Sequence, residues 1–127
     1  MNRFKDWKYP IFDKNGWAYP SNDFSDDRYG WRCQYQEGLT LGKNVDIGCF
    51  SYINAKYGVK IGDNVQIGAH CAIYSDDTED NIYGEIIIGE NSLIGAYTLI
   101  LPGSTIASNS KIKAKSIIKG DKYIRRI

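Results

Sequence analysis

Residues 61–75 read IGDNVQIGAHCAIYS, and residues 86–118 read IIIGENSLIGAYTLILPGSTIASNSKIKAKSII. In both stretches an aliphatic side chain returns at every sixth position. Followed outward in both directions, this slot is filled by Leu41, Ile47, Ile53, Ile61, Ile67, Ile73, Ile88, Ile94, Ile100, Ile106, Ile112 and Ile118. A period of six fits neither an amphipathic α-helix nor a long alternating strand, and it is typical of a short strand and a turn that repeat.

The repeat predicts an all-β solenoid with a triangular coil. Three units close one coil, and the slots define coils at 41–58, 61–78, 88–105 and 106–123. The aliphatic side chain of each unit is predicted to point inward, and stacked coils are predicted to pair as parallel strands about 4.8 Å apart. A glycine follows the aliphatic residue in half of the slots, where we expect it to relieve the backbone of the turn.

Two segments do not follow the repeat. Residues 1–38 carry many aromatic side chains without a helical or strand period, and two prolines and an Asn-Gly pair indicate turns. We predict that this segment is an irregular cap on the open end of a β-helix domain that spans residues 39–127. Alternatively, its aromatic side chains line part of an acceptor pocket. The second segment, residues 79–87 (EDNIYGEII), is predicted to be a loop insertion.

The composition limits the partners that the chain can have. It contains 16 basic and 15 acidic residues, and a net charge of +1 does not favour nucleic acid or an acidic membrane. No apolar run reaches the roughly 18 residues of a membrane span. The three cysteines have neither metal-binding nor disulfide spacing, which indicates a reducing compartment. We therefore predict a cytoplasmic protein without a metal site.

The two quoted stretches resemble the hexapeptide-repeat acyltransferases, and the resemblance extends over residues 39–124. It is strongest at residues 99–106, LILPGSTI, which are similar to the family's ILPGVTIG segment. Within the family, the pattern is most similar to the short sugar acyltransferases of surface-polysaccharide biosynthesis. The resemblance implies a left-handed parallel β-helix of about four coils, a homotrimer, acetyl-CoA or another acyl-CoA as the donor, and active sites between neighbouring subunits.

Many members of this family carry a catalytic histidine at the mouth of the loop that interrupts the repeat. This sequence departs from them, because residues 74–80 read YSDDTED and contain no histidine. The single histidine of the chain is His70, at a position that should point outward. Candidate catalytic residues are therefore His70, Asp76 and Asp77, any of which could take a proton from an acceptor. The alternatives are an exposed or interface histidine and an ordinary solvated acidic turn.

The resemblance also implies a groove for acyl-CoA along the outer edge of the coils. Small residues there let the pantetheine arm approach the backbone, and the matching positions are Ala96 and Ala114. The C-terminal segment is basic, and Lys119 and Arg125 are the candidates for holding the nucleotide phosphates. Alternatively, the basic residues form a polar cap on the last coil.

Three functions are consistent with these features. The first is an acyl-CoA-dependent N-acetyltransferase that acts on an amino sugar, in this family often linked to a nucleotide. The second is a sugar O-acetyltransferase, and the third is a non-catalytic β-helix used for assembly or binding. An amine can attack a thioester without the positioned base that a hydroxyl needs, so the missing loop histidine favours the first and third. The insertion and the outward His70 favour an enzyme.

A fourth function is excluded. Carbonic anhydrases of this fold hold zinc with three histidines, and this chain has a single histidine.

Overall fold

The chain forms a parallel β-solenoid whose coils pass over three sheets in turn. The computed structural model describes residues 7–20 and 28–126. Face 1 contains β4 (Leu39–Leu41), β7 (Val59–Ile61), β12 (Ile86–Ile88) and β15 (Thr105–Ile106). Face 2 contains β5 (Asp46–Ile47), β8 (Gln66–Ile67), β13 (Leu93–Ile94) and β16 (Lys111–Ile112). Face 3 contains β3 (Arg32–Gln34), β6 (Tyr52–Asn54), β9 (Ala72–Tyr74), β14 (Leu99–Ile100) and β17 (Ile117–Ile118).

The aliphatic slots lie directly above one another in this stack. On face 1, Leu41 pairs with Ile61, and Ile61 pairs with Ile88 in the next coil. The slots of all three faces converge on one core, in which Ile73 and Ile100 have no exposed surface. Burial of each such side chain contributes about 1.5–3 kcal/mol. The all-β fold, its inward slots and its stack of about four coils are therefore confirmed, and the arrangement is consistent with a left-handed β-helix.

Three vertices join the faces, and each is named here by what it displays. The asparagine vertex, between faces 1 and 2, comprises residues 42–45, 62–65, 89–92 and 107–110. The histidine vertex, between faces 2 and 3, comprises residues 48–51, 68–71, 95–98 and 113–116. The hairpin vertex follows the strands of face 3 and comprises residues 35–38, 55–58, 75–85, 101–104 and 119–123.

The first two vertices turn through a left-handed residue that is not glycine. Asn64 and His70 have φ angles of 59° and 58°, and their equivalents in the other coils are also left-handed. The glycine after a slot serves a different purpose, because a Cβ on Gly48 would lie 2.4 Å from the backbone nitrogen of Ala69 in the next coil. The expectation that these glycines relieve the turn was wrong: they are required by the close approach of one coil to the next.

The solenoid begins earlier than the predicted boundary at residue 39. Strand β3 pairs in parallel with β6, so that Cys33 stacks on Ile53 and face 3 gains a fifth strand. Residues 32–34 therefore belong to the β-helix and differ from the irregular cap predicted for 1–38. Sequence reasoning missed this strand because its inward slot holds a cysteine, whereas every recognised slot holds Ile or Leu.

The remaining described residues of the N-terminal segment pack on the first coil. Strands β1 (Ile11–Phe12) and β2 (Ala18–Tyr19) form an antiparallel hairpin whose turn contains Asn15-Gly16. Trp31 is buried against the core, and the Trp7 indole donates a hydrogen bond to the carbonyl of Val45 at 2.7 Å. Residues 1–6, 21–27 and 127 lie outside the described residues. Within the described ranges, one 3-10 turn (Gln36–Gly38) occurs, and no helix is long and apolar enough to cross a membrane.

The insertion at the hairpin vertex is a β-hairpin that the C-terminal segment completes. Strand β10 (Asp76–Asp77) pairs antiparallel with β11 (Ile82–Tyr83), and β11 pairs antiparallel with β18 (Ile124–Arg125). Beyond β18, the Arg126 N–H donates to the carbonyl of Asn81 at 2.9 Å. The last residues of the described chain therefore form the third strand of the hairpin's sheet.

Arg126 also fastens this sheet to the prism through its side chain. Its Nη2 donates to Oδ1 of Asp76 at 2.7 Å and to the Tyr57 hydroxyl at 3.1 Å. The guanidinium lies 4.7 Å from the centroid of the Tyr83 ring, which itself stacks on Tyr57. The side chain of Asp76 is only 9% exposed, and its hydrogen bond raises the pKa of Arg126. The ion pair therefore joins β10 to the C-terminal segment, and the contacts with Tyr57 tie the hairpin's sheet to the neighbouring coil.

The packing of the core predicts that truncating two isoleucines of face 3 has very different effects on the free energy of unfolding. We expect Ile100→Ala to lower the free energy of unfolding by about 2–5 kcal/mol, because it leaves a cavity in the Ile column. Its matched control, Ile117→Ala, removes a side chain that is 62% exposed and should cost no more than about 0.5 kcal/mol. Urea unfolding of both variants measures the difference, and equal losses would contradict the assignment of inward and outward positions.

The partly buried pair of Arg126 and Asp76 should contribute more to stability than an exposed ion pair does. We expect Arg126→Met, which keeps an apolar stem, to destabilise the protein more than Lys60→Met, which breaks the exposed pair between Lys60 and Glu85. Exposed pairs contribute at most about 1 kcal/mol. Urea unfolding compares the two variants, and amide hydrogen exchange of β11 should accelerate in Arg126→Met alone. Unchanged exchange of β11 would show that the pair does not hold the hairpin.

Cys33 should contribute to a loss of stability at alkaline pH. Burial, with the Glu37 carboxylate, raises the pKa of its thiol from 9.0 to about 12. The unfolded thiol therefore loses its proton first, and stability present below pH 9 is lost as the pH rises toward 12, by about 1.4 kcal/mol per pH unit. Cys33→Ala should reduce the slope of stability against pH between 9 and 10 by about 1 kcal/mol per pH unit, because the unfolded thiol is only half ionised at pH 9. An unchanged slope in urea unfolding would contradict the burial of this thiol.

Candidate active site

The histidine vertex presents the single imidazole of the chain between two aromatic rings. His70 is exposed, and its ring lies 4.7 Å from that of Tyr97, with an angle of 8° between the planes. On the other side, the Phe50 ring lies 5.3 Å away at 28°. Phe50 and Tyr97 are themselves 67% and 58% exposed. In the described part of the chain, neither nitrogen of the imidazole has a hydrogen-bond partner.

The small residues predicted for acyl-CoA lie on the same vertex. Ala96 immediately precedes Tyr97, and Ala114 occupies the equivalent place one coil further. A Cβ on Gly95 would meet the backbone nitrogen of Ala114 at 2.3 Å, so the two coils are in backbone contact here. The structure therefore brings three of the predicted residues, His70, Ala96 and Ala114, to one edge with little side-chain bulk beside the aromatic rings.

The predicted acids lie at the other end of β9, on the hairpin vertex, and both are engaged by the fold. Asp76 accepts the hydrogen bond of Arg126 described above. Oδ1 of Asp77 accepts the backbone N–H groups of Glu79 at 3.1 Å and Asp80 at 3.4 Å, which closes the hairpin turn. Both carboxylates thus have structural partners, and a catalytic role for either stays a prediction.

The predicted phosphate-binding cations are also away from the histidine vertex. Lys119 is exposed beyond the far end of β17. Arg125 lies in β18, where its Nη1 donates to the carbonyl of Asp80 at 2.9 Å. The cations on the histidine vertex itself are Lys113 and Lys115, which flank Ala114 and are exposed. Sequence reasoning included these lysines in the basic segment but had no means of telling which vertex they occupy.

A cleft that sequence reasoning missed lies between face 3 and the hairpin. It encloses about 280 Å³ and is lined by Tyr52, Asn54, Tyr74, Asp76, Asp77, Thr78 and Glu79. The rings of Tyr52 and Tyr74 meet edge to face at 5.7 Å, and Tyr52 donates a hydrogen bond to Gln34. Burial, with Tyr74 adding to it, raises the pKa of Tyr52. The available signal was that both tyrosines adjoin an inward isoleucine and must therefore point outward.

Cys71, the cysteine of the histidine vertex, does not have the properties of a nucleophile. Cys71 follows His70 but points into the core, where its thiol donates to the carbonyl of Gly95 at 3.3 Å. Burial raises the pKa of this thiol, whereas a reactive cysteine is exposed and has a lowered pKa. Among the residues with a described position, no group of three His, Cys, Asp or Glu side chains is placed to hold a metal ion.

Comparison with known families and proteins gives several matches. Residues 85–120 match the family model described as bacterial transferase hexapeptide (six repeats), and residues 38–75 match the hexapeptide repeat of succinyl-transferase. An alignment of 100 positions that covers 69% of this chain shows 31% identity to the UDP-3-O-acylglucosamine N-acyltransferase of Shewanella denitrificans. An alignment of 117 positions that covers 85% of this chain shows 32% identity to the galactoside O-acetyltransferase of Escherichia coli K12.

A third relative, at 28% identity over 88 residues and 64% of this chain, is the bifunctional protein GlmU of Marinobacter nauticus. The chain spans only 29%, 53% and 19% of the lengths of these three relatives. No solved structure matches the chain. Both stretches matched by family models lie in the solenoid, where the structure has the stacked six-residue units that define such proteins. The chain belongs to the hexapeptide-repeat transferase family.

Proposed function

We propose that the chain is an acyl-CoA-dependent acetyltransferase that modifies the amine of a sugar, with His70 as its general base. The single observation that carries the proposal is the exposed imidazole of His70, which lies on the same vertex as Ala96 and Ala114. Two relatives are named for acyl transfer to sugars, one to an amine and one to a hydroxyl. A base beside a small-residue edge is the arrangement that transfer from an extended thioester requires.

The proposed reaction needs one proton acceptor. The amine nitrogen attacks the thioester carbon, forming a C–N bond while the C–S bond breaks. His70 takes the proton that the nitrogen loses and passes it to the departing sulfur, which leaves as the free thiol of CoA. Because Asp76 and Asp77 already hold the hairpin, their contacts favour structural roles, and His70 is the group left to do this work.

The donor is proposed to lie along the histidine vertex. Ala96 and Ala114 would let its pantetheine arm approach the backbone of two successive coils. Lys113 and Lys115 flank Ala114, which places them closer to the proposed donor path. Lys119 lies on the hairpin vertex and Arg125 lies in β18, so both are less well placed for the nucleotide phosphates. Charge-assisted hydrogen bonds from such lysines would hold the phosphates.

We further propose that the site is completed by a second subunit of a homotrimer. The support is the exposure of Phe50 and Tyr97 beside the catalytic candidate, since aromatic surface of this kind is typical of protein interfaces. The hairpin of one subunit would then cover the histidine vertex of the next. The acceptor is proposed to be nucleotide-linked, in keeping with the UDP-glucosamine derivative in the name of one relative.

We expect release of free thiol from acetyl-CoA when UDP-glucosamine or glucosamine is supplied, and less release with methyl β-galactoside. His70→Asn should lower kcat by roughly 10²- to 10⁴-fold, the usual contribution of a general base. Asparagine is the appropriate replacement because it tolerates the left-handed backbone that position 70 requires. The rate is measured by coupling the thiol to a chromogenic disulfide.

The matched control is Asn109→Gly, a substitution at the equivalent left-handed place of the asparagine vertex, which should keep the full rate. A full rate in His70→Asn would refute the assignment of the base. Faster transfer to the galactoside would select O-acetylation instead. If no acyl-CoA raises the melting temperature and no thiol is released, the chain is a non-catalytic β-helix.

A further inference from the structure

The flanking rings of His70 form a continuous stack along the histidine vertex. Phe50, His70 and Tyr97 occupy the same place in three successive coils, and all three have left-handed backbones, with φ of 63°, 58° and 61°. The centroids of His70 and Tyr97 are 4.7 Å apart, which is the spacing of neighbouring β-strands. The stacking of the coils therefore places one ring on each coil and brings neighbouring rings into contact.

The backbone holds the three residues in register. The N–H of His70 donates to the carbonyl of Cys49 at 3.0 Å, and the N–H of Tyr97 donates to the carbonyl of Ala69 at 3.0 Å. These bonds join each residue of the stack to the coil below it. Because the Cα positions are fixed in this way, the rings move relative to one another only by rotation of their side chains.

The orientation of the imidazole depends on this stack. A catalytic histidine is ordinarily oriented by a hydrogen bond to one of its nitrogens from a carboxylate or carbonyl. Within the described residues the ring of His70 has no such bond, and its contacts are the faces of Phe50 and Tyr97. With both of its faces covered, the imidazole can be approached only at its edge, where the two nitrogens lie.

We infer that Phe50 and Tyr97 are positioning residues that hold the His70 ring edge-outward for proton transfer. The inference rests on the proposed function, since it assigns the stack to the same base. The imidazolium formed when His70 accepts a proton faces the two ring faces, which is a favourable arrangement for a cation. The charged groups on the same vertex, Lys113 and Lys115, are exposed on the last coil.

The stack can be tested with paired variants that keep the left-handed backbone. Tyr97→Phe and Phe50→Tyr retain a ring, whereas Tyr97→Asn and Phe50→Asn remove the ring and tolerate positive φ. With acetyl-CoA and UDP-glucosamine or glucosamine, we expect Tyr97→Asn to lower kcat roughly tenfold to a hundredfold, with little change in the KM of UDP-glucosamine or glucosamine, because the base is misaligned while the acceptor site is intact. Tyr97→Phe retains the ring and should keep the kcat of the wild type.

A second readout does not depend on activity. His70 is the only histidine, so its ring protons give the only histidine signals in the NMR spectrum. We expect these signals to be shifted upfield in the wild type by the ring currents of Phe50 and Tyr97, to stay so in Tyr97→Phe, and to move toward unshifted positions in Tyr97→Asn.

The two readouts separate the two proposals. Upfield signals that return to unshifted positions in Tyr97→Asn, together with a fall in kcat, support the positioning role. Unshifted signals in the wild type, or a full rate in Tyr97→Asn, overturn it. If the wild type transfers no acyl group to either amine, the proposed function fails, and the NMR comparison alone then decides whether the rings orient the histidine.

Discussion

The close stacking of one coil on the next is the constraint on which the rest of the structure depends. Each turn of the chain returns to within a strand spacing of the turn before it, and backbone N–H groups on one coil donate to carbonyls of its neighbour. Gly48 and Gly95 show how tight the fit is, since a Cβ on either would lie less than 2.5 Å from a backbone nitrogen of the next coil. The inward isoleucines supply the hydrophobic stabilisation, but the backbone contacts set the geometry.

This constraint makes each vertex a column of outward side chains at a fixed spacing. On the asparagine vertex, Asn44 donates to Asn64 and Asn64 to Asn91, both at 3.2 Å, so the column is a ladder of amides. On the histidine vertex, the same left-handed backbone carries Phe50 and His70 in an aromatic stack. One backbone geometry therefore produces a ladder of amides on one edge of the prism and a stack of aromatic rings on another.

The repeat is interrupted at the hairpin vertex, where two acidic residues make contacts that stabilise the hairpin. Asp76 pairs with Arg126, fifty residues away in the sequence, and Asp77 closes the hairpin turn. The hairpin that interrupts the repeat is therefore held in place by the last described strand, β18, and by Arg126 beyond it.

The sequence by itself determined the all-β solenoid, its stack of about four coils and the inward slots, whereas Ile86 and Ile87 of the predicted insertion 79–87 lie in β12 of face 1. It could do so because a six-residue period is a local property, repeated often enough to exclude other folds. It also placed His70 outward, since that follows from the period. It did not reveal β3, because a cysteine fills that slot, or the partner of Asp76, because fifty residues separate the pair in the chain.

Only the tertiary structure decided which residues share a vertex. Stacking brings Phe50, His70 and Tyr97 together across three coils, and it separates Lys119 and Arg125 from Ala114. Such neighbours depend on the register between coils, including the insertion that shifts it, and no period within one coil contains that information.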